Sequence, residues 1–136
     1  MQFVVNNWYL FLGLIVVLAL LVAGPLTRYL YGIRMLPVNE AVRLINSESA
    51  VLIDVREPNE FRSGHIPNAV NVPMSGLAAR LPEIAKYKDK PIVVSCQTSQ
   101  RSARAALILR KHGFGTAHVL AGGFLRWQSE NLPVKK

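Results

Sequence analysis

The sequence predicts an α/β fold of three layers, with a central parallel sheet between helices, preceded by one transmembrane helix. Short β-branched apolar runs alternate with helical patterns, and this alternation is typical of a parallel sheet covered on both faces. All 16 Lys and Arg residues and all 8 acidic residues follow a charge-free N-terminal segment. The chain of 136 residues therefore has room for one domain and an apolar appendage.

The transmembrane helix is predicted over residues 8–30, after a short tail of residues 1–7. A bilayer core requires about 20 apolar residues in a helix, and this stretch carries no charged residue before Arg28. Trp8 at one end and Tyr29 at the other suit the aromatic belts of a membrane interface. A cleaved signal peptide is the alternative, but it needs a positively charged start, which this tail lacks. We expect an uncleaved anchor.

The charges that flank this helix predict its orientation. Arg28 and Arg34 lie on its C-terminal side, whereas the other side has only the α-amino group. The positive-inside rule then places the N-terminus outside and the domain, residues 36–136, in the cytoplasm. The single cysteine agrees, because it cannot form an internal disulfide and a free thiol suits a reducing compartment.

The formal net charge of +8 raises the question of nucleic acid binding. The basic residues are scattered, with no dense basic run and no interleaved aromatic residues. We therefore expect no nucleic acid partner, and a basic surface that faces anionic lipid or an anionic substrate. With one Cys and widely spaced His residues, no metal-ligand spacing is present, and no metal or other cofactor is expected.

The domain begins after a linker of residues 31–35. Apolar residues at helical spacing predict a helix from Pro37 to Ile45. Two β-branched apolar runs, residues 51–55 and 69–72, are predicted strands, and Phe61 between them is predicted to open a brief helical turn.

The second half of the domain continues the alternation of helix and strand. We predict a helix at residues 77–85, kinked near Pro82, and a strand at residues 91–95. A helix at residues 99–112, a strand at residues 118–120 and a final helical turn through Trp127 are predicted to follow. Gly113 supplies the stop of the longer helix. The strand at 91–95 is the clearest of the chain, and Cys96 lies at its C-terminal end.

The segment from Cys96 to Ser102 lies where open α/β sheets bind ligands, between the end of a strand and the start of a helix. It can curl so that backbone N–H groups point inward and form an anion-binding cradle. That field favours a thiolate at the mouth of the cradle, and Arg101 adds a permanent positive charge. A buried structural cysteine is the alternative. The pattern predicts Cys96 as a nucleophile, and the other candidates for lining the loop are Gln97, Thr98, Ser99, Gln100 and Ser102.

Four ordered motifs resemble those of the rhodanese family, and together they cover about Leu36 to Val134. They are the VLIDVREPNEF segment, the GHIPNA segment, the Cys96 loop and a terminal GG…W…P run, at residues 51–61, 64–69, 96–102 and 122–133. Motifs in the same order and at compatible spacing are far more specific than any one of them.

The resemblance implies a rhodanese-like fold and a sulfurtransferase of the membrane-anchored bacterial type. In such an enzyme Cys96 takes a sulfane sulfur from a small anionic donor, thiosulfate or a persulfide, and passes it to a thiol-type acceptor. Asp54 is then a supporting structural carboxylate, and Arg56 is its partner or a rim charge. The implied location is the bacterial inner membrane, held by residues 8–30, with a membrane protein as a further candidate partner.

Two loop positions depart from the family pattern. Gln97 stands where many family loops carry Arg, and Ser99 stands where they carry Gly. Without that Arg, thiosulfate is a weaker expectation as the donor. Ser99 is expected to be strained if the loop requires a positive φ there. In the GHIPNA segment, Asn68 occupies the usual place of a glycine.

Two other functions remain open on the sequence. One is a phosphatase or arsenate reductase, since cysteine phosphatases of related fold also use a Cys…Arg loop. Those loops resemble this one but have five residues between Cys and Arg, whereas four separate Cys96 from Arg101. The other is a membrane-tethered adaptor that uses the fold to bind a membrane protein.

Overall fold

The computed structural model describes residues 1–136 and divides into two units, Met1–Gly32 and Ile33–Lys136. The first unit consists of helix α1 (Gln2–Asn6), within the predicted tail, and helix α2 (Trp8–Leu30). Helix α2 has 23 residues and a mean hydropathy of 2.6, and none of its residues is buried. At about 1.5 Å per residue it is long enough to cross the roughly 30 Å hydrocarbon core of a bilayer.

The second unit alternates strands and helices as the sequence predicts. Its strands are β1 (Met35–Leu36), β2 (Val51–Asp54), β3 (Val70–Asn71), β4 (Ile92–Ser95) and β5 (Ala117–Leu120). Its α-helices are α3 (Val38–Ser47), α4 (Pro58–Arg62), α5 (Leu77–Ile84), α6 (Gln100–Lys111) and α7 (Gly123–Ser129). Short 3₁₀ turns, Met74–Gly76 and Ala85–Tyr87, flank α5.

The five strands form one sheet in the order β1-β5-β4-β2-β3, and every pairing is parallel. The prediction of a parallel sheet is therefore confirmed. Strand β4 is central and all of its residues are buried, as expected for a β-branched run covered on both faces. Its carboxyl end, where Cys96 follows, is flanked by the ends of β2 and β5.

Alternate side chains of the strands supply two separate cores, because successive residues of a strand point to opposite faces. On one face Val94, Val119 and Cys96 pack in the cluster that includes Leu109 of α6. On the other face Val93, Leu52 and Leu120 pack in the cluster that includes Trp127 of α7, Ala41 of α3 and Leu36. The sheet is thus the middle layer of three, and Cys96 faces α6.

Two local elements differ from the sequence prediction. Strand β1 starts at Met35, inside the predicted linker 31–35, and the Arg34 carbonyl accepts a hydrogen bond from the Val119 N–H at 3.0 Å. Helix α4 begins at Pro58 with a capping box, in which Glu57 and Glu60 each accept the other's backbone N–H. Phe61 therefore lies within this helix instead of opening it.

The C-terminal segment, residues 131–136, is held to the rest of the domain by hydrogen bonds at two points. The Trp127 indole N–H donates to the Pro133 carbonyl at 2.8 Å, and His65 and Lys135 exchange two backbone hydrogen bonds of 2.8 Å. The indole contact gives a structural reason for the tryptophan of the terminal motif, because it holds this segment against the helical layer that contains α7.

Candidate active site

The candidate site is built on the loop that joins β4 to α6. Cys96 follows the last residue of β4, and Ser99 precedes the first residue of α6. The strand is fixed by pairing on both edges, and the helix is fixed by buried Ala105, Ala106 and Leu109. A short loop between two packed elements has little freedom, so the position of Cys96 is set by the fold.

Cys96 lies beneath the loop and not at its mouth, which corrects the expectation from sequence. Its exposed fraction is 1%, and its side chain belongs to the apolar cluster on the α6 face. The strand alternation explains this, because Ile92, Val94 and Cys96 lie two residues apart and point to the same face.

Polar contacts to the sulfur come from the first turn of α6. The Ser102 N–H donates to Cys96 Sγ at 3.4 Å, and Ser102 Oγ lies 3.5 Å from Sγ. The Ser102 hydroxyl also donates to the Ser99 carbonyl at 3.1 Å. A hydroxyl has one hydrogen to donate. The Ser102 hydroxyl can therefore donate to the Ser99 carbonyl while Cys96 is a thiol, and rotate to donate to the sulfur when Cys96 ionises. The helix amide and dipole favour negative charge at the same place.

Helix α7 supports the loop from the other side. The Phe124 N–H donates to the Cys96 carbonyl at 2.8 Å, and the Leu125 N–H donates to the Gln97 carbonyl at 3.2 Å. Gly123 has φ +59°, and a Cβ built on it lies 1.9 Å from the Thr98 carbonyl oxygen. Only glycine fits there. The terminal motif includes this glycine, but the motif alone does not reveal the contact with the Cys96 loop.

Asp54 and Arg56 form a buried ion pair beside the loop. Their exposed fractions are 0% and 2%, and Arg56 Nη2 and Nε each lie within hydrogen-bonding distance of the carboxylate, at 2.9 and 3.1 Å. Arg56 Nη2 also donates to the Gly64 carbonyl at 2.8 Å, and its guanidinium lies 4.3 Å from the centre of the Phe124 ring. Arg56 is therefore the partner of Asp54, and it is not a rim charge.

Arg56 also reaches the Cys96 loop directly. Its Nη1 donates to the Gln97 side-chain oxygen at 3.2 Å. Gln97 thus anchors the loop to the buried ion pair. The sequence predicted Gln97 as a residue that lines the loop and as a departure where family loops carry Arg, but not this contact with Arg56.

Arg101 pairs with Glu60, a residue that the sequence analysis did not single out. Nη1 and Nη2 of Arg101 donate to the two carboxylate oxygens at 2.8 and 3.1 Å. Hydrogen bonding to Arg101 lowers the pKa of Glu60, and the same bond raises the pKa of Arg101. Cys96 is a smaller electrostatic cause of that raised pKa. Arg101 directly precedes Ser102, whose N–H donates to the Cys96 sulfur.

The remaining loop residues lie at the surface without strain. Thr98 and Gln100 are exposed and Ser99 is partly exposed. Ser99 has φ −145°, so the loop does not require a positive φ and the serine is not strained. Asn68 does have a positive φ, +65°. Asparagine tolerates this conformation better than most residues do, which suits its place in the GHIPNA segment.

A polar cleft of about 340 Å³ opens beside the loop. It is lined by Arg56, Glu60, Ser63, Gly64, Gln97, Phe124 and Gln128. The only cation in this lining is Arg56, which Asp54 already neutralises. The arrangement combines a buried cysteine sulfur under a hydrogen-bonding loop with a neighbouring space that can hold a small molecule.

Comparisons with known proteins bear on this site. A family model described as a rhodanese-like domain matches residues 37–130. The Escherichia coli protein YibN, described as uncharacterized, is 34% identical over 135 residues, 98% of this chain and 94% of YibN.

Two further likenesses concern the domain. Thiosulfate sulfurtransferase GlpE of Shewanella oneidensis is 34% identical over 96 residues, 71% of this chain and 93% of GlpE. A crystal structure of a rhodanese-related protein from Thermoplasma volcanium has a TM-score of 0.68 and 30% identity, covering 75% of this chain and 97% of that one. Together these likenesses support a sulfurtransferase type of activity in general terms.

Proposed function

The chain belongs to the rhodanese-like domain family, and from that premise we propose that Cys96 carries a sulfane sulfur as a persulfide between a donor and a thiol-type acceptor. One observation carries the proposal. The sole cysteine lies at the base of the β4–α6 loop with the Ser102 N–H directed at its sulfur.

The proposed reaction has two displacements at sulfur. The Cys96 thiolate attacks the outer sulfur of the donor, a new S–S bond forms, and the old S–S bond breaks with its electron pair on the leaving group. With thiosulfate the leaving group is sulfite, and with an alkyl persulfide it is the alkyl thiolate. A thiolate or cyanide then attacks the outer sulfur of the Cys96 persulfide, and the Cys96 thiolate leaves.

The loop supplies stabilisation for the anionic persulfide. The Ser102 N–H already donates to the sulfur of Cys96, and a donor that is fixed before the reaction needs no reorganisation when charge develops. The Ser102 hydroxyl lies 3.5 Å from the sulfur and can add a second hydrogen bond by rotating away from the Ser99 carbonyl. Arg101 contributes a cation in the same first turn of α6 that supplies the Ser102 N–H. Because Cys96 is 1% exposed, we expect the donor to reach Sγ by displacing the exposed part of the loop at Thr98.

We further propose that α2 anchors the domain to the bacterial inner membrane, with the N-terminus outside and the domain in the cytoplasm. Support comes from its length, its hydropathy and its lack of buried residues, and from Arg28 and Arg34 on its C-terminal side. Such a tether raises the local concentration of the domain near membrane-bound acceptors or a membrane protein partner.

The test is intact-mass analysis of the full chain in detergent after exposure to thiosulfate and to an alkyl persulfide. We expect the addition of one sulfur atom, its removal by cyanide as thiocyanate, and no addition to Cys96→Ser. Because the chain has one cysteine, the added sulfur maps to Cys96 without digestion. Failure of every sulfane donor to add sulfur, together with robust hydrolysis of an aryl phosphate, would refute the proposal in favour of phosphoryl chemistry.

A further inference from the structure

We propose that Glu60 is a positioning residue that sets the charge preference of the sulfur donor. By pairing with Arg101 it leaves the entrance to Cys96 without an uncompensated cation, so the site favours donors with one negative charge over dianions such as thiosulfate. This inference rests on the proposed sulfurtransferase function and concerns the same site.

The pairing of Glu60 with Arg101 is fixed from both sides. Glu60 Oε1 accepts the Glu57 N–H of the capping box at 3.2 Å and Arg101 Nη1 at 2.8 Å, while Oε2 accepts Nη2 at 3.1 Å. A bidentate arginine–carboxylate pair is more directional than a single contact. The Glu60 carboxylate is therefore fixed by the N-terminus of its own helix, α4, and it fixes the position of the Arg101 guanidinium.

The second arginine at the loop is neutralised as well. Arg56 is buried and its charge is balanced by Asp54, so its contact with Gln97 brings no net positive charge to the loop. The cleft beside the loop includes the Glu60 carboxylate in its lining. A dianion that enters there meets the side chain of Glu60 and one cation, Arg56, whose charge Asp54 already balances.

Two sulfur donors that react by the same displacement but differ by one unit of charge can be compared. Thiosulfate is a dianion and methanethiosulfonate is a monoanion in which a methyl group replaces one oxygen. In both, the Cys96 thiolate attacks the outer sulfur and the same type of S–S bond breaks, with sulfite or methanesulfinate as the leaving group. A difference between the two donors that depends on Glu60 therefore reports charge recognition.

The experiment measures kcat/KM for both donors with cyanide as acceptor, using the full chain in detergent. Glu60→Gln is expected to raise the ratio of thiosulfate to methanethiosulfonate about tenfold, mainly through KM, as for one unit charge about 6 Å from another at an effective dielectric constant of about 40. Glutamine retains a carbonyl that can accept the Glu57 N–H, so the capping box is preserved.

Two further variants and a control test whether the Glu60–Arg101 ion pair causes the change in the donor ratio. Arg101→Gln leaves the carboxylate unpaired and should lower the ratio. The double variant should return it close to the wild-type value, since removing one negative and one positive charge leaves the net charge at the site unchanged. Glu83→Gln is the matched control, because Glu83 pairs with Arg80 at the exposed surface of α5, and it should leave the ratio unchanged.

The outcomes separate this inference from the proposed function. If sulfur is transferred but Glu60→Gln leaves the ratio at the wild-type value, or lowers kcat/KM equally for both donors, the positioning role is wrong and the sulfurtransferase function stands. If the wild-type chain takes sulfur from neither donor, the proposed function itself fails.

Discussion

Replacing Gly123 with alanine is expected to disable the Cys96 loop while the domain stays folded. A Cβ at this position lies 1.9 Å from the Thr98 carbonyl oxygen and 2.4 Å from the Cys96 carbonyl oxygen. Because carbon–oxygen contacts below 3.0 Å essentially do not occur, either the loop or the start of α7 must retreat. The required movement is about 1 Å, which is large for a reacting sulfur.

The magnitude follows from two costs. Alanine at φ +59° loses roughly 1–2 kcal/mol, and the weakened hydrogen bond from the Phe124 N–H to the Cys96 carbonyl accounts for about 1 kcal/mol. We therefore expect the free energy of unfolding to fall by about 2–3 kcal/mol. A displacement of about 1 Å at a reacting group can reduce its rate about a hundredfold, and we expect that loss in persulfide formation.

The assay follows persulfide formation by rapid quenching and intact mass, at a temperature where near-ultraviolet circular dichroism shows each variant folded. Gly115→Ala is the matched control, because no atom lies within 4 Å of its built Cβ and its φ is not positive. We expect that variant to load sulfur and unfold like the wild type. Sulfur loading of Gly123→Ala at the wild-type rate would refute the role of this contact.

Two further predictions concern stability. Asp54→Asn leaves the buried Arg56 guanidinium without a counter-charge, so the free energy of unfolding in denaturant should fall by about 3–5 kcal/mol. Glu83→Gln, which breaks an exposed ion pair, is the control. A loss for Asp54→Asn no larger than the loss for Glu83→Gln would contradict this prediction. Burial, followed by the charges of Arg110 and Arg34, holds the pKa of His118 below its usual 6.5. The unfolded chain therefore takes up this proton first, and stability should be lost as the pH falls below about 6.5 and be unaffected by this group above it. Unfolding midpoints between pH 8 and pH 5.5 should show this dependence, and His118→Asn should flatten it; an unchanged slope would show that another group is responsible.

The strand–loop–helix unit at Cys96 could be predicted because its signals are local. Residues 91–95 are an apolar β-branched run and residues 99–112 have helical periodicity, so the loop between them follows from sequence order. Strand β1 could not be found in this way. It has two residues, too few for a pattern, and it exists only because Met35 pairs with Val119, far along the chain.

The contacts that define the site are equally non-local. Glu60 and Arg101 are 41 residues apart, as are Arg56 and Gln97. A glutamate in a short helix and an arginine after a strand are ordinary surface residues by composition, and nothing local marks one as the partner of the other. The expectation of an exposed Cys96 was wrong for a different reason: the loop suggested a sulfur at its mouth, whereas the alternation of β4 directs the side chain towards α6.

The departure at Gln97 and the burial of Arg56 belong together. Arg56 satisfies Asp54, the Gly64 carbonyl and the Gln97 side-chain oxygen at once, and a buried guanidinium is stable only when its donors have such partners. An arginine in the conformation of Gln97 would set a second guanidinium against the first and supply no acceptor. Position 97 thus fixes the loop, and the choice of donor falls to Arg101, the loop arginine that stays partly exposed. Because Glu60 holds that cation, a single carboxylate outside the loop controls how strongly the site attracts negative charge.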